Sequence, residues 1–198
     1  MDHWENLLNP DLVRVKLISA GLFLVGHEML IDSIKVRPRE FFADHWTADG
    51  PQPGAKYERE VLALDPKGKK DALRGSIAWL KKMEVVTADD EEDVRTVTDA
   101  RNKLAHELKA MVSGSITADF FDHFATLMQL VQKIERWWII NVEIATDPDY
   151  HNSDIKEESI ISGPSWMMHM LAQVALGEGD EAWELHHGFV QERHQTSE

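Results

Sequence analysis

The chain has 198 residues, 43% of them hydrophobic, no cysteine and a formal net charge of −14 at pH 7. This length suits one domain, or one domain with an appendage, and the apolar content is enough for a hydrophobic core. The acidic charge argues against a general nucleic-acid-binding protein, because binding to a phosphate backbone depends on lysine and arginine replacing counterions. Without cysteine, disulfides and thiolate metal sites are excluded.

A membrane location is not predicted by the sequence. No run of about 18 apolar residues occurs, which is the length that a membrane-spanning helix requires. The first six residues are acidic and polar, unlike a secretion signal. Together with the lack of cysteine, these features lead us to expect a cytoplasmic protein that has no contact with a membrane.

The first predicted helix begins at Asn9 and Pro10, a capping residue followed by proline at the first helical position. It is expected to end before Pro38, since the residue that precedes a proline disfavours helical geometry. Its apolar face follows steps of three and four residues. The members of that face are Val13, Leu17, Ala20, Leu24, His27, Ile31 and Ile34. Residues 43–68 are rich in proline and glycine and predict a long connection, interrupted by a short helix around residues 57–64.

Three further helices follow at helical spacing. The second runs from about Lys69 to Met83, and the third begins at Thr87, where Asp90 completes a capping box, and ends at Gly114. A fourth begins at Thr117 and ends before Asp147. The apolar face of the third helix consists of Val94, Val97, Leu104, Leu108 and Met111, interrupted by Arg101. The face of the fourth consists of Phe121, Phe124, Met128, Val131, Glu135, Trp138 and Val142.

Residues 147–198 form an acidic extension in which Lys156 and Arg193 are the only lysine and arginine. Ser162, Gly163 and Pro164 predict the start of a short helix, which glycines at 177 and 179 end before Asp180 caps another. The sequence therefore predicts an all-α fold: an antiparallel four-helix bundle over residues 1–146 and a helical hairpin within residues 147–198.

The residues that carry candidate chemistry are Arg101, Asn102 and His106 on the third helix. Asn102 and His106 are four residues apart, so their side chains are neighbours on the helix surface. His106 can exchange a proton near neutral pH, and Arg101 can hold a phosphate through its planar fork of donors. Asn102 can orient either His106 or a substrate by hydrogen bonding. These three residues are our candidate catalytic residues.

This Arg-x4-His motif, with a polar residue after the arginine, resembles the signature of the HEPN superfamily. The flanking run from Asp99 to Glu107 and the helical segments 26–42 and 76–86 are similar to HEPN proteins of prokaryotic toxin and phage-defence systems. The resemblance covers roughly residues 10–146. It implies a HEPN-like bundle and a homodimer whose motif helices meet in a shared cleft.

The resemblance also implies an activity. Many HEPN proteins are endoribonucleases that need no metal ion or other cofactor: the RNA 2′-hydroxyl attacks the adjacent phosphate and leaves a 2′,3′-cyclic phosphate. We therefore expect an RNA-cleaving protein of a toxin–antitoxin or antiviral defence system. A nucleotidyltransferase-like antitoxin, or another protein partner, would be a separate chain. The alternative is a catalytically silent HEPN domain that acts as a binding or assembly module through protein partners.

Several residues keep two interpretations. Arg101 could instead pair with a buried carboxylate such as Glu135, in which case its role would be structural. His27 is interpreted as a core histidine, or as a wall of the cleft together with Glu28. The aromatic and methionine side chains at 166–170 could pack on the bundle or bind a partner. No metal-binding motif is complete, and no metal site is predicted.

Overall fold

The computed structural model of the chain describes residues 2–48, 50–112, 120–150 and 155–195. These residues are mostly helical and include one small antiparallel sheet, so the predicted all-α class is confirmed for them. The helices are α1 Asp2–Leu8, α2 Pro10–Phe41, α3 Ala55–Glu60, α4 Ala72–Lys82, α5 Ala88–Val112, α6 Phe120–Trp138, α7 Gly163–Leu176 and α8 Asp180–Gln195. The strands are β1 Ala43–Thr47 and β2 Gly50–Pro53.

Helix α2 begins where the sequence predicts, because the Asn9 side chain accepts hydrogen bonds from the backbone N–H groups of Asp11 and Leu12. Its predicted end before Pro38 is wrong, since the helix continues to Phe41. A proline inside a helix removes one backbone hydrogen bond. Here Pro38 lies in the last turn and its carbonyl accepts from the backbone N–H of Phe42 at 3.2 Å. Packing of the aromatic residues beyond Pro38 stabilises this extra turn.

An aromatic cluster joins the end of α2 to α4 and α6. The rings of Trp79 and Trp138 stack with centroids 5.6 Å apart, and Phe41 and Phe42 lie 6.1 Å and 5.6 Å from Trp79. Trp138 is buried whereas its neighbour Trp137 is only partly buried, as expected for adjacent residues on a helix. This cluster closes one end of the bundle.

Strands β1 and β2 were not anticipated, since residues 43–68 were predicted to be mostly connection. They pair with Ala43 opposite Pro53 and Thr47 opposite Gly50. Neither strand alternates between buried and exposed side chains, and β2 contains two prolines. The period-two pattern that reveals a strand in a sequence is therefore absent. The short helix predicted nearby is confirmed as α3 and the 3-10 turn Leu62–Leu64.

Asp65 organises the start of α4. Its buried carboxylate accepts from the backbone N–H groups of Lys67, Lys69 and Asp71 and from the Arg74 guanidinium at 2.7 Å. The hydrogen bond from Arg74 is the main reason that the pKa of Asp65 lies far below its ordinary value. The backbone before Asp71 is held in this loop, so α4 begins at Ala72 with Asp71 as its cap rather than at Lys69.

Helix α5 begins with the predicted capping box, in which Thr87 and Asp90 exchange side-chain and backbone hydrogen bonds. Val94, Val97 and Leu104 are buried, as predicted, and Leu108 packs partly against the core. The predicted helix end at Gly114 and cap at Thr117 lie outside the described residues, as does the side chain of Met111.

Helix α6 continues into a π-helical segment, Ile139–Ile144, and the helical path ends before Asp147 as predicted. Gly26 lies beside Leu127 and Arg37 pairs with Glu135, so α2 and α6 run in the same direction. Helix α5 runs opposite to both. The expectation that all four helices alternate in direction is therefore wrong for α2 and α6. The long connection from α2 to α4 can carry the chain back along the bundle, so the next helix need not run opposite to α2.

The core is one cluster of buried side chains contributed by α2, α4, α5 and α6 and by the connection around α3. Its fully buried members include Phe23, Leu30, Ile34, Val61, Leu80, Val97, Leu127, Val131 and Ile134. In the part of the chain that the structure describes, α2 alone is long and apolar enough to cross a membrane. Half of that window is buried inside the bundle.

The C-terminal hairpin consists of α7 and α8, separated at the predicted glycines, and Gly179 adopts a positive φ of 56°. Ser162 caps α7, and the Gln132 side chain of α6 holds the preceding backbone by bonding Ile160 and Ser162. Helix α7 packs on α2 and α6 with Met168 buried. The interpretation that this helix packs on the bundle is thus confirmed, although Trp166 and Met167 stay exposed.

Candidate functional site

The predicted site residues lie on one exposed stretch of α5. Asn102 and His106 are exposed, and Arg101 is partly buried at the edge of the apolar stripe, with 36% of its side chain accessible. The interruption of the stripe is therefore real: the flanking Val97 and Leu104 are buried while the guanidinium reaches the helix edge. This placement leaves all three polar groups accessible from one side of α5.

Arg101 reaches across to α2. Its Nη2 donates to Glu28 Oε1 at 3.3 Å, and its Nη1 donates to Asn102 Oδ1 at the long distance of 3.5 Å. Arg101 Nε is buried and has no hydrogen-bond partner among the described residues. The alternative pairing with Glu135 is wrong, because Glu135 binds Arg37 instead at 2.7 Å. The guanidinium thus keeps donor capacity that the fold does not use.

His27 lies next to this ion pair on α2 and is buried, as the core interpretation predicts. Its Nε2 is 3.1 Å from Thr98 Oγ1, whose own hydrogen is donated to the Val94 carbonyl at 2.7 Å. Thr98 must therefore accept, so His27 Nε2 carries the proton and donates. This fixes the neutral tautomer with an unprotonated Nδ1, which is buried, lacks a hydrogen-bond partner among the described residues and lies 3.9 Å from Glu28 Oε1.

The charge state of His27 follows from these neighbours. Burial lowers the pKa of His27, and the positive charge of Arg101 acts in the same direction, whereas Glu28 raises it. The net result is a pKa below the ordinary value. His27 is therefore held neutral beside an arginine and a carboxylate; its burial confirms the core interpretation, and the cleft-wall interpretation stays a prediction.

His106 differs from His27 in every respect that matters for chemistry. It is exposed, and the structure records no hydrogen bond between it and any other described residue. Asn102 contacts Arg101 rather than His106, so no described residue of the same chain orients the imidazole by a hydrogen bond. An exposed imidazole is placed to reach an external substrate.

One contributor to this site, Thr98, was not predicted as a member of it, and it orients His27. Glu28, interpreted from the sequence as a cleft wall beside His27, bonds Arg101 across 73 residues of sequence. Thr98 precedes Arg101 by three residues and so shares its helix face, which is the signal that could have identified it. Across the described ranges, no group of three His, Asp or Glu side chains is arranged to hold a metal ion.

Comparison of the chain with family models, with curated proteins and with solved structures returned no match. The resemblance to the HEPN superfamily accordingly rests on the motif and on its position in the helical bundle. What the geometry adds is an accessible arginine with unused donors, an exposed histidine one turn further along α5, and a carboxylate on α2 facing the arginine.

Proposed function

We propose that this protein is a HEPN-type endoribonuclease that cleaves RNA without a metal ion at a site shared by two copies of the chain. The observation that carries the proposal is the accessible guanidinium of Arg101. It interrupts a buried stripe, its only carboxylate partner among the described residues is exposed, and its Nε donor is unpaired. A structural arginine would have all three nitrogens paired, as Arg37 has with Glu135 and Glu143 although its side chain is 34% exposed.

The chemistry requires few groups. Arg101 binds the scissile phosphate and stabilises the charge that develops on its oxygens. A histidine acting as general base takes the proton of the 2′-hydroxyl as its oxygen attacks phosphorus, and a histidine acting as general acid protonates the departing 5′-oxygen. The products are a 2′,3′-cyclic phosphate and a 5′-hydroxyl.

A single His106 cannot stand on both sides of one phosphate, which is the physical reason to propose a homodimer. A two-fold axis beside α5 would supply the second His106. The neighbouring surface of α2 is suited to such an interface, because Leu17 and Val25 are 47% and 41% exposed. By helical spacing they share a face with Glu28, the residue that contacts Arg101.

The cellular role proposed here is that of a toxin in a toxin–antitoxin or antiviral defence system in the cytoplasm. A separate nucleotidyltransferase-like antitoxin, or another protein partner, would restrain it. RNA reaches the site against the overall charge of −14, so attraction must come from local groups such as Arg101 of both copies.

The deciding experiment is RNA cleavage by the purified protein in the presence of EDTA. Wild type is expected to produce fragments that end in 2′,3′-cyclic phosphate. His106→Ala is expected to lose at least about 100-fold in rate, the scale of one general acid–base contribution. His169→Ala is the matched control, because His169 is an exposed histidine on a different helix, α7. Absence of cleavage by wild type, or equal cleavage by His106→Ala, contradicts the proposal.

The second candidate function is a catalytically silent HEPN module that assembles with protein partners. It is favoured by one contact: Glu28 already occupies one donor of the Arg101 side chain. On this alternative, His106→Ala leaves both partner binding and biological effect unchanged. Parallel measurement of growth inhibition and of partner capture with the same variant separates the two functions.

A further inference from the structure

The Glu28 carboxylate occupies the position in which an oxyanion ligand would bind Arg101. It accepts one hydrogen bond from Nη2 at 3.3 Å, longer than the distance of about 2.8 Å that a strong charge-assisted bond shows. The Glu28 side chain is 61% exposed, so it can leave for water at little cost. The pair is thus a weak, accessible one and not a buried structural bridge.

Two buried polar atoms beside this carboxylate have no partner among the described residues. They are Arg101 Nε and His27 Nδ1, and the latter lies 3.9 Å from Glu28 Oε1. Leaving buried polar atoms unpaired costs free energy, and native structures rarely do so without a reason. The His27 side chain is only 7% exposed and is fixed by Thr98, so its Nδ1 cannot turn towards water.

We propose that Arg101 and His27 together form a phosphate-binding site, and that Glu28 occupies this site until a phosphate group of the substrate replaces it. The inference rests on the proposed function, since it names the groups that receive the phosphate. A phosphodiester of RNA offers two non-bridging oxygens, as the carboxylate does, but it is not tethered to α2. It can therefore accept from Arg101 Nη2 and Nε together and receive a hydrogen bond from His27 Nδ1 once that atom takes up a proton.

The charges that act on His27 suit it to binding phosphate. They are the charges of Glu28 on its own helix and of Arg101 on α5. Before phosphate binds, the imidazole of His27 is neutral, so its ring does not place a second positive charge beside Arg101. A phosphate oxygen that lies closer to His27 Nδ1 than Glu28 Oε1, which is 3.9 Å away, brings its negative charge nearer to the ring and favours the protonated form. His27 is accordingly a residue that binds phosphate, and Glu28 competes with phosphate for the site.

The test is titration of the purified chain with inorganic phosphate in the absence of RNA, followed by NMR of the arginine Nε–H and histidine ring resonances. Glu28→Gln removes the competing charge and keeps the side-chain shape, so phosphate is expected to bind about fivefold more tightly. Asp32→Asn is the matched control: it removes the same charge one turn further along the exposed face of α2. It is expected to change the affinity by less than about twofold, since the Asp32 side chain is exposed and its charge acts on the site through water, where charge interactions are weak.

The outcomes are distinct. Equal gains in Glu28→Gln and Asp32→Asn would show a general charge effect and overturn the inference, as would unchanged or undetectable binding in Glu28→Gln. Arg101→Gln must abolish binding in the Glu28→Gln background. The His27 ring resonances must follow the same saturation curve, and their failure to do so removes His27 from the site. RNA cleavage is measured separately, so an inactive protein that binds phosphate as described disproves only the proposed function.

Discussion

Two arginines in this chain show how the surroundings of one residue type separate a structural role from a functional one. Arg37 donates to Glu135 through two nitrogens and to Glu143 through a third, and the Glu135 side chain is only 3% exposed. Arg101 has one exposed carboxylate, one long contact to an amide and an unpaired Nε. The first guanidinium is fully used by the fold, and the second is available to a ligand.

This contrast predicts different effects of the same substitution on stability. Arg37→Met leaves the Glu135 carboxylate buried without its partner, and the free energy of unfolding is expected to fall by about 3–5 kcal/mol. Arg101→Met breaks only an exposed pair and is expected to cost less than about 1 kcal/mol. Urea unfolding of both variants measures the difference. Equal losses would mean that Arg101 is as structural as Arg37.

What the sequence could predict at this scale was the position of each residue on its helix but not its partner. Steps of three and four residues correctly placed Arg101 among buried neighbours, yet they could not distinguish Glu28 from Glu135 as its acceptor. That choice depends on how α2, α5 and α6 are oriented around the core. His27 was placed correctly on an inward face, while its bond to Thr98 follows only from the packing of α2 on α5.

At the scale of elements, close contact between α4 and the connection before it depends on Gly75. A Cβ atom at this position would lie 2.7 Å from the Val61 carbonyl oxygen, which belongs to the backbone and cannot move aside easily. Gly21, in the middle of α2, has no atom within 4 Å of the corresponding position. Gly75 therefore permits a close backbone contact, whereas Gly21 has open space beside it.

Alanine substitutions test this difference. Gly75→Ala is expected to lower the free energy of unfolding by about 1–3 kcal/mol, because the backbone must separate to admit the methyl group. Gly21→Ala is expected to raise it by about 0.5–1 kcal/mol, since alanine reduces the entropy lost in helix formation. Thermal unfolding followed by circular dichroism reports both. A stabilising Gly75→Ala would show that α4 does not approach the Val61 backbone as described.

Local chemistry made the helix starts predictable. Asn9 with Pro10, Thr87 with Asp90, and Ser162 each satisfy the unpaired N–H groups of their own helix, so the signal lies within a few residues. The extension of α2 past Pro38 is stabilised by distant partners such as Trp79, and the pairing of β1 with β2 has no alternating pattern to reveal it. Those features were missed because no local pattern encodes them.

For the whole molecule, the net charge of −14 opposes association of two copies. We expect the proposed homodimer to tighten when the salt concentration rises from about 0.01 M to about 0.1 M, because the screening length falls from about 30 Å to about 10 Å. Sedimentation equilibrium at several salt concentrations gives the dissociation constant. A dimer that weakens with salt would instead indicate attraction between complementary charges at the interface.

Helix α2 connects most parts of the molecule, since it contacts α1, α4, α5, α6, α7 and β2. It carries Glu28 and His27 at the candidate site, and the adjacent Gly26 lies close to Leu127 of α6 and to Met168 of α7. The hairpin thus packs against the backbone of α2 immediately before the residues that face Arg101. The candidate site is built on the central helix of the bundle, not on a peripheral loop.

The π-helical segment after Trp138 changes which residues lie on the same face of the helix. Glu143 follows Glu135 by eight residues, which in a regular α-helix would rotate it about 80° beyond two full turns. Both carboxylates nevertheless bond Arg37, because the wider turns of Ile139–Ile144 absorb that excess. A regular helix with one residue fewer would present Glu143 at nearly the same angle. The chain therefore holds one surplus residue between the two carboxylates, and any heptad count carried across residue 138 shifts by one position.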